Sequence, residues 1–296
     1  MKKGLILVNA YSNLASGLNQ SQRLKEELEK LGISTDISRN DFFAAQINGF
    51  GNIETKTAVY DFCIYLDKDK YISHMLEKSG LRLFNSHSAI EACDDKMLTS
   101  IILADNGIPM PKTLAGLLCY DPCEEMGEHI LNSVESALGY PLIIKTSYGS
   151  LGKGVYKAEG REELEKIAKE LKCTPHLFQE FIKESSGRDL RVIVIGGKFV
   201  AAMMRSSNGD FRSNLELGGT AVPFDPPSEV ISLCERVAEI LKLDYCGIDV
   251  LIGNSGYYIC EVNSNAFFGG IERVTKINIA KAYSEYIYDT IYKALK

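Results

Sequence analysis

Two carboxylates and an amide lie at spacings that could bring their side chains together. Residues 245–263 read as two apolar strands around the turn Asn254-Ser255-Gly256. If that turn is a three-residue hairpin loop, Asp249 pairs with Glu261, and Asn263 follows on the same face two residues later. We therefore expect three oxygen-bearing side chains to converge on one spot between apolar neighbours.

This candidate site offers only hard oxygen ligands, with no histidine or thiolate among them. Such a set favours Mg²⁺ or Mn²⁺ over Zn²⁺, and protein-bound Mg²⁺ is typically shared with substrate phosphates. A simpler alternative is a hairpin with a solvated polar face, whose acids pair with lysines. The prediction also depends on register, since a four-residue loop would turn Glu261 to the opposite face.

A glycine-rich loop gives the clearest local signal for phosphate binding. Three glycines fall between Gly149 and Gly154, hydroxyls occur at Ser147 and Ser150, and Lys145 ends the preceding apolar run. Backbone N–H groups in such loops cradle phosphates, and a strand lysine can reach phosphate oxygens. The spacing matches neither a Walker A loop nor a dinucleotide-binding fingerprint. The alternative is an ordinary glycine hairpin.

Two further segments could contact a nucleotide. Residues 179–182 form a short apolar segment between two candidate domains, which could hold a flat ring such as adenine or could be a plain strand. Four arginines lie near predicted hairpin ends, at Arg188, Arg191, Arg205 and Arg212. Arginine binds phosphates and carboxylates in bidentate fashion, although a solvated sheet rim would show the same residues.

Strands and helices alternate at the start of the chain. Apolar runs predict strands over 5–8, 33–37, 60–66 and 81–84, with helices over 20–31 and 70–78. This alternation indicates an α/β domain with a parallel sheet, which we assign to residues 1–87. A central part over 88–183 then carries the glycine loop and begins with one long helix over 88–106. A third part, over 184–296, carries the acidic hairpin and ends in a helix over 276–295.

The composition excludes several classes of function. Of 296 residues, 45% are hydrophobic and 24% are charged, which is typical of soluble proteins, and no apolar run has the roughly 18 residues of a membrane span. The net charge of −6 argues against general nucleic-acid binding. The eight cysteines form no C-x-x-C pair, and Cys119 and Cys123, though close in sequence, have no partner pair or adjacent histidine. We therefore expect a cytoplasmic protein that binds neither membrane nor nucleic acid.

In their order, these motifs resemble the ATP-grasp ligases, and within them the RimK-like glutamate-ligase branch. The resemblance covers about residues 85–295 and implies a two-lobed ATP-grasp fold, α+β in character, after an N-terminal parallel-sheet domain. It rests on eight short motifs: Asp95-Lys96, Ile143-Ile144-Lys145, the loop from Gly149 to Gly154, Gln179-Glu180-Phe181-Ile182, Asp189-Leu190-Arg191, Gly209-Asp210-Phe211-Arg212-Ser213-Asn214, Gly247-Ile248-Asp249 and Glu261-Val262-Asn263.

The resemblance also implies roles for individual residues. The ATP phosphates would be held by Lys96, Lys145, Ser150, Gly152 and Gly154. The adenosine part would be held by Glu180, Phe181, Ile182 and, at the ribose, Asp189. ATP or the second substrate would face Arg191, Arg212 and Asn214. The catalytic groups would be Lys145 and Arg205, with Arg205 stabilising charge on the acyl group. Two Mg²⁺ ions, with Mn²⁺ as an alternative, would be bound by Asp249, Glu261 and Asn263.

The implied reaction joins a carboxylate to an amine at the expense of ATP, through an acyl phosphate. Glutamate or another amino acid would be added to a small molecule, peptide or protein terminus, by an enzyme that often forms dimers or tetramers in this family. A small-molecule kinase could use the same ATP site, and a nucleotide sensor is a third alternative. One segment departs from the family: after Asn263 many RimK-like members read Ala-Ser-Pro-Gly, whereas residues 264–270 read Ser-Asn-Ala-Phe-Phe-Gly-Gly. Because this segment should border the acceptor pocket, the identity of the substrate stays open.

Overall fold

The structure is a computed structural model that describes residues 2–11, 15–207, 209–215 and 218–293. Its N-terminal unit contains strands β1 (Lys3–Val8), β2 (Ser34–Arg39), β5 (Phe62–Leu66) and β6 (Arg82–Phe84), helices α1 (Ala15–Lys30) and α2 (Lys70–Lys78), and a small antiparallel hairpin of β3 (Ala45–Ile47) and β4 (Ile53–Thr55). The four strands outside this hairpin form a parallel sheet in the order β2-β1-β5-β6. The predicted parallel α/β sheet is therefore confirmed.

The central lobe is an antiparallel sheet covered by helices. Its elements are α3 (His87–Asp94), α4 (Lys96–Leu103), β7 (Thr113–Ala115), α5 (Glu128–Leu138), β8 (Leu142–Thr146), β9 (Val155–Ala158), α6 (Arg161–Leu171) and β10 (His176–Glu180). The strand order is β7-β10-β8-β9. Helices α5 and α6 bury Leu131, Leu164 and Ala168 against Ile144 and Phe178 of the sheet, as their apolar stripes require.

The C-terminal lobe is built on a larger antiparallel sheet. Its elements are β11 (Arg188–Ile195), β12 (Lys198–Ser206), β13 (Thr220–Pro223), α7 (Ser228–Ile240), β14 (Tyr245–Gly253), β15 (Gly256–Asn263), α8 (Gly269–Thr275) and α9 (Ile279–Lys293). The strand order is β13-β12-β11-β14-β15. No helix within the described residues is both long and apolar enough to cross a membrane.

The N-terminal sheet and the C-terminal lobe share one hydrophobic core. Ile6 of β1 and Leu24 of α1 belong to the same buried cluster as Ile193 of β11, Tyr245 of β14 and Tyr283 of α9. This packing joins the two units on the side of the C-terminal sheet that faces α1 and α9. The predicted domain boundaries, after residues 87 and 183, stay predictions.

The prediction of one long helix over 88–106 is wrong, because Asp95 divides this segment into α3 and α4. Asp95 has an extended backbone, with φ −93° and ψ 107°, and its carboxylate accepts hydrogen bonds from the N–H groups of Met97 and Leu98. An aspartate that caps a helix in this way satisfies N–H groups that have no partner within the helix. The break places Lys96 at the start of α4, where its backbone N–H donates to the carbonyl of Ser147.

In the hairpin of β14 and β15, Asp249 lies opposite Glu261 as predicted, but the loop is shorter than predicted and β15 contains a bulge. Its loop has two residues, because Gly253 pairs with Gly256, and not the three residues that we expected. A bulge next to Asp249 then adds one residue to β15, so that Asp249 still lies opposite Glu261. Since a bulge sets two residues of one strand against one of its neighbour, the two departures cancel.

The terminal helix begins later than predicted. It was expected from residue 276 and starts at Ile279, after the separate helix α8. The predicted end of the terminal helix at residue 295 lies outside the described residues.

Asn85 connects the N-terminal sheet to the C-terminal lobe through a buried amide. Its Nδ2 donates to the carbonyls of Tyr245, at 2.8 Å, and Ser264, at 2.9 Å, while its Oδ1 accepts from the N–H groups of Asp244, at 2.6 Å, and Tyr245, at 3.0 Å. The residue is 2% exposed. All four hydrogen bonds that an amide side chain can form in this way are made, so the end of β15 is fixed relative to the start of β14.

Substituting Asn85→Ala should lower the free energy of unfolding by about 3 kcal/mol, because it leaves buried backbone groups without partners. Urea denaturation measures the effect. Asn52→Ala, at an exposed position of the β3–β4 hairpin, serves as the control and should change stability by about 0.5 kcal/mol or less. Equal effects of the two substitutions would contradict the proposed role of Asn85 in connecting the N-terminal sheet to the C-terminal lobe.

Candidate active site

Charged residues face one another directly across neighbouring strands of the C-terminal sheet. Arg205 of β12 lies opposite Asp189 of β11, and Arg191 of β11 lies opposite Asp249 of β14. Asp249 in turn lies opposite Glu261 of β15. Residues opposite each other share a face of the sheet, so the five side chains form a continuous row.

The first four members of this row form a network of ion pairs. Arg205 binds Asp189 through two hydrogen bonds, Nε–Oδ1 at 2.7 Å and Nη2–Oδ2 at 2.5 Å. Arg191 binds Asp249 in the same fashion, Nε–Oδ1 at 2.5 Å and Nη2–Oδ2 at 2.9 Å. Arg205 Nη2 also lies 3.0 Å from Asp249 Oδ1. Two guanidinium groups thus balance two carboxylates in a mostly buried setting.

The ion pairs shift the pKa values of two members of the network, Asp249 and Arg205. Burial alone would raise the pKa of Asp249, but Arg191 and Arg205 more than offset burial and hold that pKa below its ordinary value. Burial likewise opposes the charge of Arg205, yet Asp249 and Asp189 raise the pKa of its guanidinium. Asp249 and Arg205 are therefore both charged at neutral pH.

The hydrogen bonds of Asp249 leave little room for a metal ion on that residue. Oδ1 already accepts from both arginines, whereas Oδ2 accepts from Arg191 alone, so Oδ2 keeps one free lone pair. The Glu261 carboxylate is more open, since its nearest cation, the Lys96 ammonium, lies 3.9 Å away. Asn263 hydrogen bonds to none of the described residues through its side chain. These oxygens fit a hard cation that takes its other ligands from a substrate.

A closed protein cage for a metal is absent from the described part of the chain. No group of three or more histidine, cysteine, aspartate or glutamate side chains there could hold an ion. The predicted ligand set has two carboxylates and one amide, which is below the six ligands of an octahedral ion. The residues therefore fit a metal that is shared with phosphate oxygens, and not a structural ion.

Two cations predicted to bind phosphate, Lys96 and Lys145, and one predicted to face ATP or the second substrate, Arg212, lie around the glycine loop or behind it. Lys96 Nζ donates to the Gly149 carbonyl at 2.8 Å, and Arg212 Nη1 donates to the Gly152 carbonyl at 2.9 Å. Lys145 Nζ donates to Gln179 Oε1 at 2.7 Å. Burial lowers the pKa of Lys96, and the charge of Glu261 opposes that shift. In this structure, backbone and amide oxygens occupy positions around these cations that phosphate oxygens could take.

The glycine loop needs its glycines for conformational reasons. Gly149, Gly152 and Gly154 all have positive φ, at 141°, 74° and 70°, a region that side chains disfavour. At Gly154 an added Cβ would lie 2.3 Å from Oγ1 of Thr146. Ser150 is exposed between them. The loop connects β8 and β9.

The predicted adenine segment lies where the central lobe passes into the C-terminal lobe. Strand β10 ends at Glu180, two residues before the predicted end. The Glu180 carboxylate accepts from the N–H of Lys112 at 3.2 Å, and Ile182 is buried. The Phe181 ring lies 4.4 Å from the Lys157 ammonium. The segment therefore offers an apolar ring and backbone groups side by side.

A cavity of about 810 Å³ lies in front of the charged row. Of the predicted site residues, it is lined by Ser150, Arg191, Arg205, Asn214, Asp249, Glu261 and Asn263. Lys96, Lys145, Asp189, Arg212 and residues 180–182 do not line it, although Lys96 and Arg212 contact the glycine loop that does. The structure thus brings the metal candidates and two arginines together in one space, with the phosphate candidates beside it.

Several residues of this site were not predicted from the sequence. Gln179 accepts a hydrogen bond from the Lys145 ammonium, and Cys260 Sγ lies 3.5 Å from that ammonium. The N-terminal unit contributes Asn9, Gln20 and Lys68 to the cavity wall. Gln179 stands inside a quoted motif and could have been found there. The N-terminal residues carry no local signal, because only the tertiary packing brings them to the site.

Comparison with known proteins agrees with these observations. Residues 93–287 match the family model of the RimK-like ATP-grasp domain. Human N-acetylaspartylglutamate synthase A is 34% identical over 223 residues, which cover 74% of this chain and 56% of that protein. A probable alpha-L-glutamate ligase of Maridesulfovibrio salexigens is 37% identical over 219 residues, covering 73% and 70%. The chain spans little more than half the length of the mammalian relatives that it matches.

Solved structures of ATP-grasp ligases share the fold. The ligase PsnB complexed with minimal precursor superposes with a TM-score of 0.69 at 20% identity, over 96% of this chain and 98% of that one. D-alanine–D-alanine ligase of Bacillus anthracis complexed with ATP gives a TM-score of 0.75 at 15% identity, over 99% and 98%. The predicted fold is thereby confirmed for the whole chain.

The charged row predicts different effects for two acidic residues that were assigned the same role. Asp249→Asn should lower the free energy of unfolding by about 3 kcal/mol, because two buried arginines lose their shared partner. Glu261→Gln should cost less than about 1 kcal/mol, because Glu261 is partly exposed and its ion pair with Lys96, at 3.9 Å, is too long for a hydrogen bond. Urea denaturation of both variants tests this. A larger loss for Glu261→Gln than for Asp249→Asn would contradict the proposed network.

Proposed function

This chain belongs to the RimK-like ATP-grasp family, and from that premise we propose that it is an ATP-dependent carboxylate–amine ligase. The observation that supports this most directly is the cavity in which Asp249, Glu261 and Asn263 face two arginines beside the glycine loop. Metal-ligating oxygens, guanidinium groups and a phosphate-type loop are the parts that phosphoryl transfer to a carboxylate needs.

Binding of ATP would exchange partners at the cations around the glycine loop. Lys96 and Arg212 now donate to the carbonyls of Gly149 and Gly152, and phosphate oxygens, being charged, are the stronger acceptors. Lys145 would donate to phosphate with one of its remaining N–H groups while it keeps Gln179. Ser150, Gly152 and Gly154 would then cover the phosphates and keep water away from the reactive intermediate.

The adenosine part would lie at the passage between the lobes. Glu180, Phe181 and Ile182 supply an apolar ring and backbone groups for adenine. For Asp189 the geometry supports a role besides the predicted ribose contact, because each of its oxygens accepts one hydrogen bond from Arg205. We propose that Asp189 is a positioning residue that fixes the plane of the Arg205 guanidinium.

Two Mg²⁺ ions would be held by Asp249 Oδ2, Glu261 and Asn263 together with ATP oxygens. When bound, they neutralise charge on the transferring phosphoryl group. The oxygens of this set are matched to such ions by their hardness and by the small number that the chain supplies.

The carboxylate substrate is activated because a free carboxylate is a poor electrophile. Transfer of the γ-phosphoryl group to it gives an acyl phosphate and ADP, and attack by the amine then releases phosphate through a tetrahedral intermediate. Arg205 Nη1 forms no hydrogen bond with the described residues, although the residue lines the cavity. This group is therefore free to donate to the acyl oxygen as negative charge develops there.

The substrates are proposed from the relatives and from the walls of the cavity. Several relatives are named for products that contain glutamate, so we propose an amino acid such as glutamate as the amine. Residues 265–267, 269 and 270 border the cavity, as does Arg273, and this part departs from the family pattern after Asn263. A homo-oligomer and a cytoplasmic location stay predictions.

The role of Lys145 predicts a loss of turnover without a loss of folding. Lys145→Met should lower kcat for ATP-dependent ADP release by about 100-fold or more and weaken ATP binding, because an unbranched apolar chain fills the same space without a donor. The matched control is Lys169→Met, on the surface of α6, where the ammonium contacts Glu165. Full activity in Lys145→Met would contradict the assignment.

Trapping of the acyl phosphate tests the reaction class. The protein is incubated with ATP, Mg²⁺, hydroxylamine and single acids, including citrate, N-acetylaspartate and glutamate. We expect ADP and a hydroxamate to appear together with one acid, because hydroxylamine attacks acyl phosphates but not carboxylates. A stable phosphorylated product without hydroxamate would overturn the ligase proposal in favour of a kinase.

A further inference from the structure

The eight cysteines differ sharply in their access to solvent. Cys63, Cys93, Cys234 and Cys246 are buried, and Cys260 is partly covered inside the active-site region. Outside that region the accessible thiols are Cys119, Cys123 and Cys173. An oxidant in solution therefore meets these three first. All three belong to the central lobe.

Backbone hydrogen bonds at the end of the central sheet bring two of them close together. In the antiparallel pair of β7 and β10, Ala115 faces Leu177. Beyond the ends of these strands, Cys119 lies beside the turn that contains Cys173. The two segments remain adjacent there, since the N–H of Gly116 donates to the carbonyl of His176 at 2.8 Å and the N–H of Cys119 donates to the carbonyl of Lys172 at 2.7 Å.

The two thiols also interact with each other directly. The pKa of Cys173 is raised, first by desolvation and then by the charge and hydrogen bonding of the Cys119 thiol. The backbone hydrogen bond from Cys119 to Lys172 places Cys119 next to the residue that precedes Cys173, and such proximity is what a disulfide requires. Cys123, in contrast, follows the turn at Asp121, whose carboxylate accepts from its N–H at 2.9 Å.

We propose that Cys119 and Cys173 form a dithiol site that is oxidised reversibly to a disulfide by small disulfides such as oxidised glutathione. The thiolate of one cysteine attacks a glutathione sulfur, forms a mixed disulfide and releases one glutathione. The second thiolate attacks the protein sulfur of that mixed disulfide and releases the other glutathione. Two electrons pass from the pair to one oxidised glutathione, and the two thiol protons end on the two glutathione molecules.

The disulfide would enclose most of the central lobe. Residues 120–172 lie between the two cysteines, and they include helices α5 and α6, Lys145 and the whole glycine loop. A cross-link over such a long segment restricts the unfolded chain much more than the folded one. Oxidation would therefore stabilise the lobe that carries the phosphate-binding residues without adding a contact to the active site.

The experiment uses the full chain, reduced and then incubated with oxidised glutathione, with alkylation of free thiols, intact mass measurement and peptide mapping. We expect one disulfide, between Cys119 and Cys173, and a melting temperature about 5 °C or more above that of the reduced protein. Cys123→Ser should behave as the unmodified sequence does. Cys119→Ser and Cys173→Ser should stop at a mixed disulfide with glutathione on the remaining partner.

Three results would overturn the proposal. The first is a lasting mixed disulfide on Cys119 or Cys173 in the unsubstituted chain, which would show that the pair cannot close. The second is a cross-link that maps to Cys119 and Cys123, or one that is lost in Cys123→Ser. The third is an oxidised protein with an unchanged melting temperature, which would exclude the stabilising role.

Discussion

Three buried charges and one partly buried charge, on three adjacent strands, constrain the rest of the structure. Each charge of the row Arg205, Asp189, Arg191 and Asp249 is compensated only by a partner directly across or beside it in the sheet. A slip of one residue would turn an unpaired charge toward the core, at a cost of several kcal/mol. The ion pairs therefore fix the register of β11, β12 and β14, and through β14 they fix the place of Glu261.

The opposite face of the same strands is apolar, which explains how the row can be held so firmly. Leu190 and Val192 alternate with the charged residues of β11 and pack under helix α7 with Val237. The N-terminal unit closes the structure from the other side through the shared core and Asn85. The floor of the cavity is thus packed from both sides, and Lys96 and Arg212 each donate a hydrogen bond to the glycine loop above it.

The sequence predicted the elements and the chemical types of the site better than it predicted their connections. Apolar periodicity located the strands, and glycine spacing located the flap, because these signals are local. The break at Asp95 was missed because an aspartate inside an otherwise regular helix pattern reveals its capping role only when Ser147 is seen beside it. The pairing of Arg205 with Asp189 could not be predicted, because it depends on strand register, and the contact of Cys119 with Cys173 depends on a pairing of strands far apart in sequence.

The bulge in β15 has a consequence for how the two lobes can separate. It sets Cys260 and Glu261 together against Asp249, and these two neighbours approach two lysines of the central lobe, Lys145 at 3.5 Å and Lys96 at 3.9 Å. Adjacent residues of a regular strand would point to opposite sides and could lose such contacts one at a time. Here both contacts lie along one short piece of backbone, so any movement of β15 away from the central lobe would lengthen both contacts together.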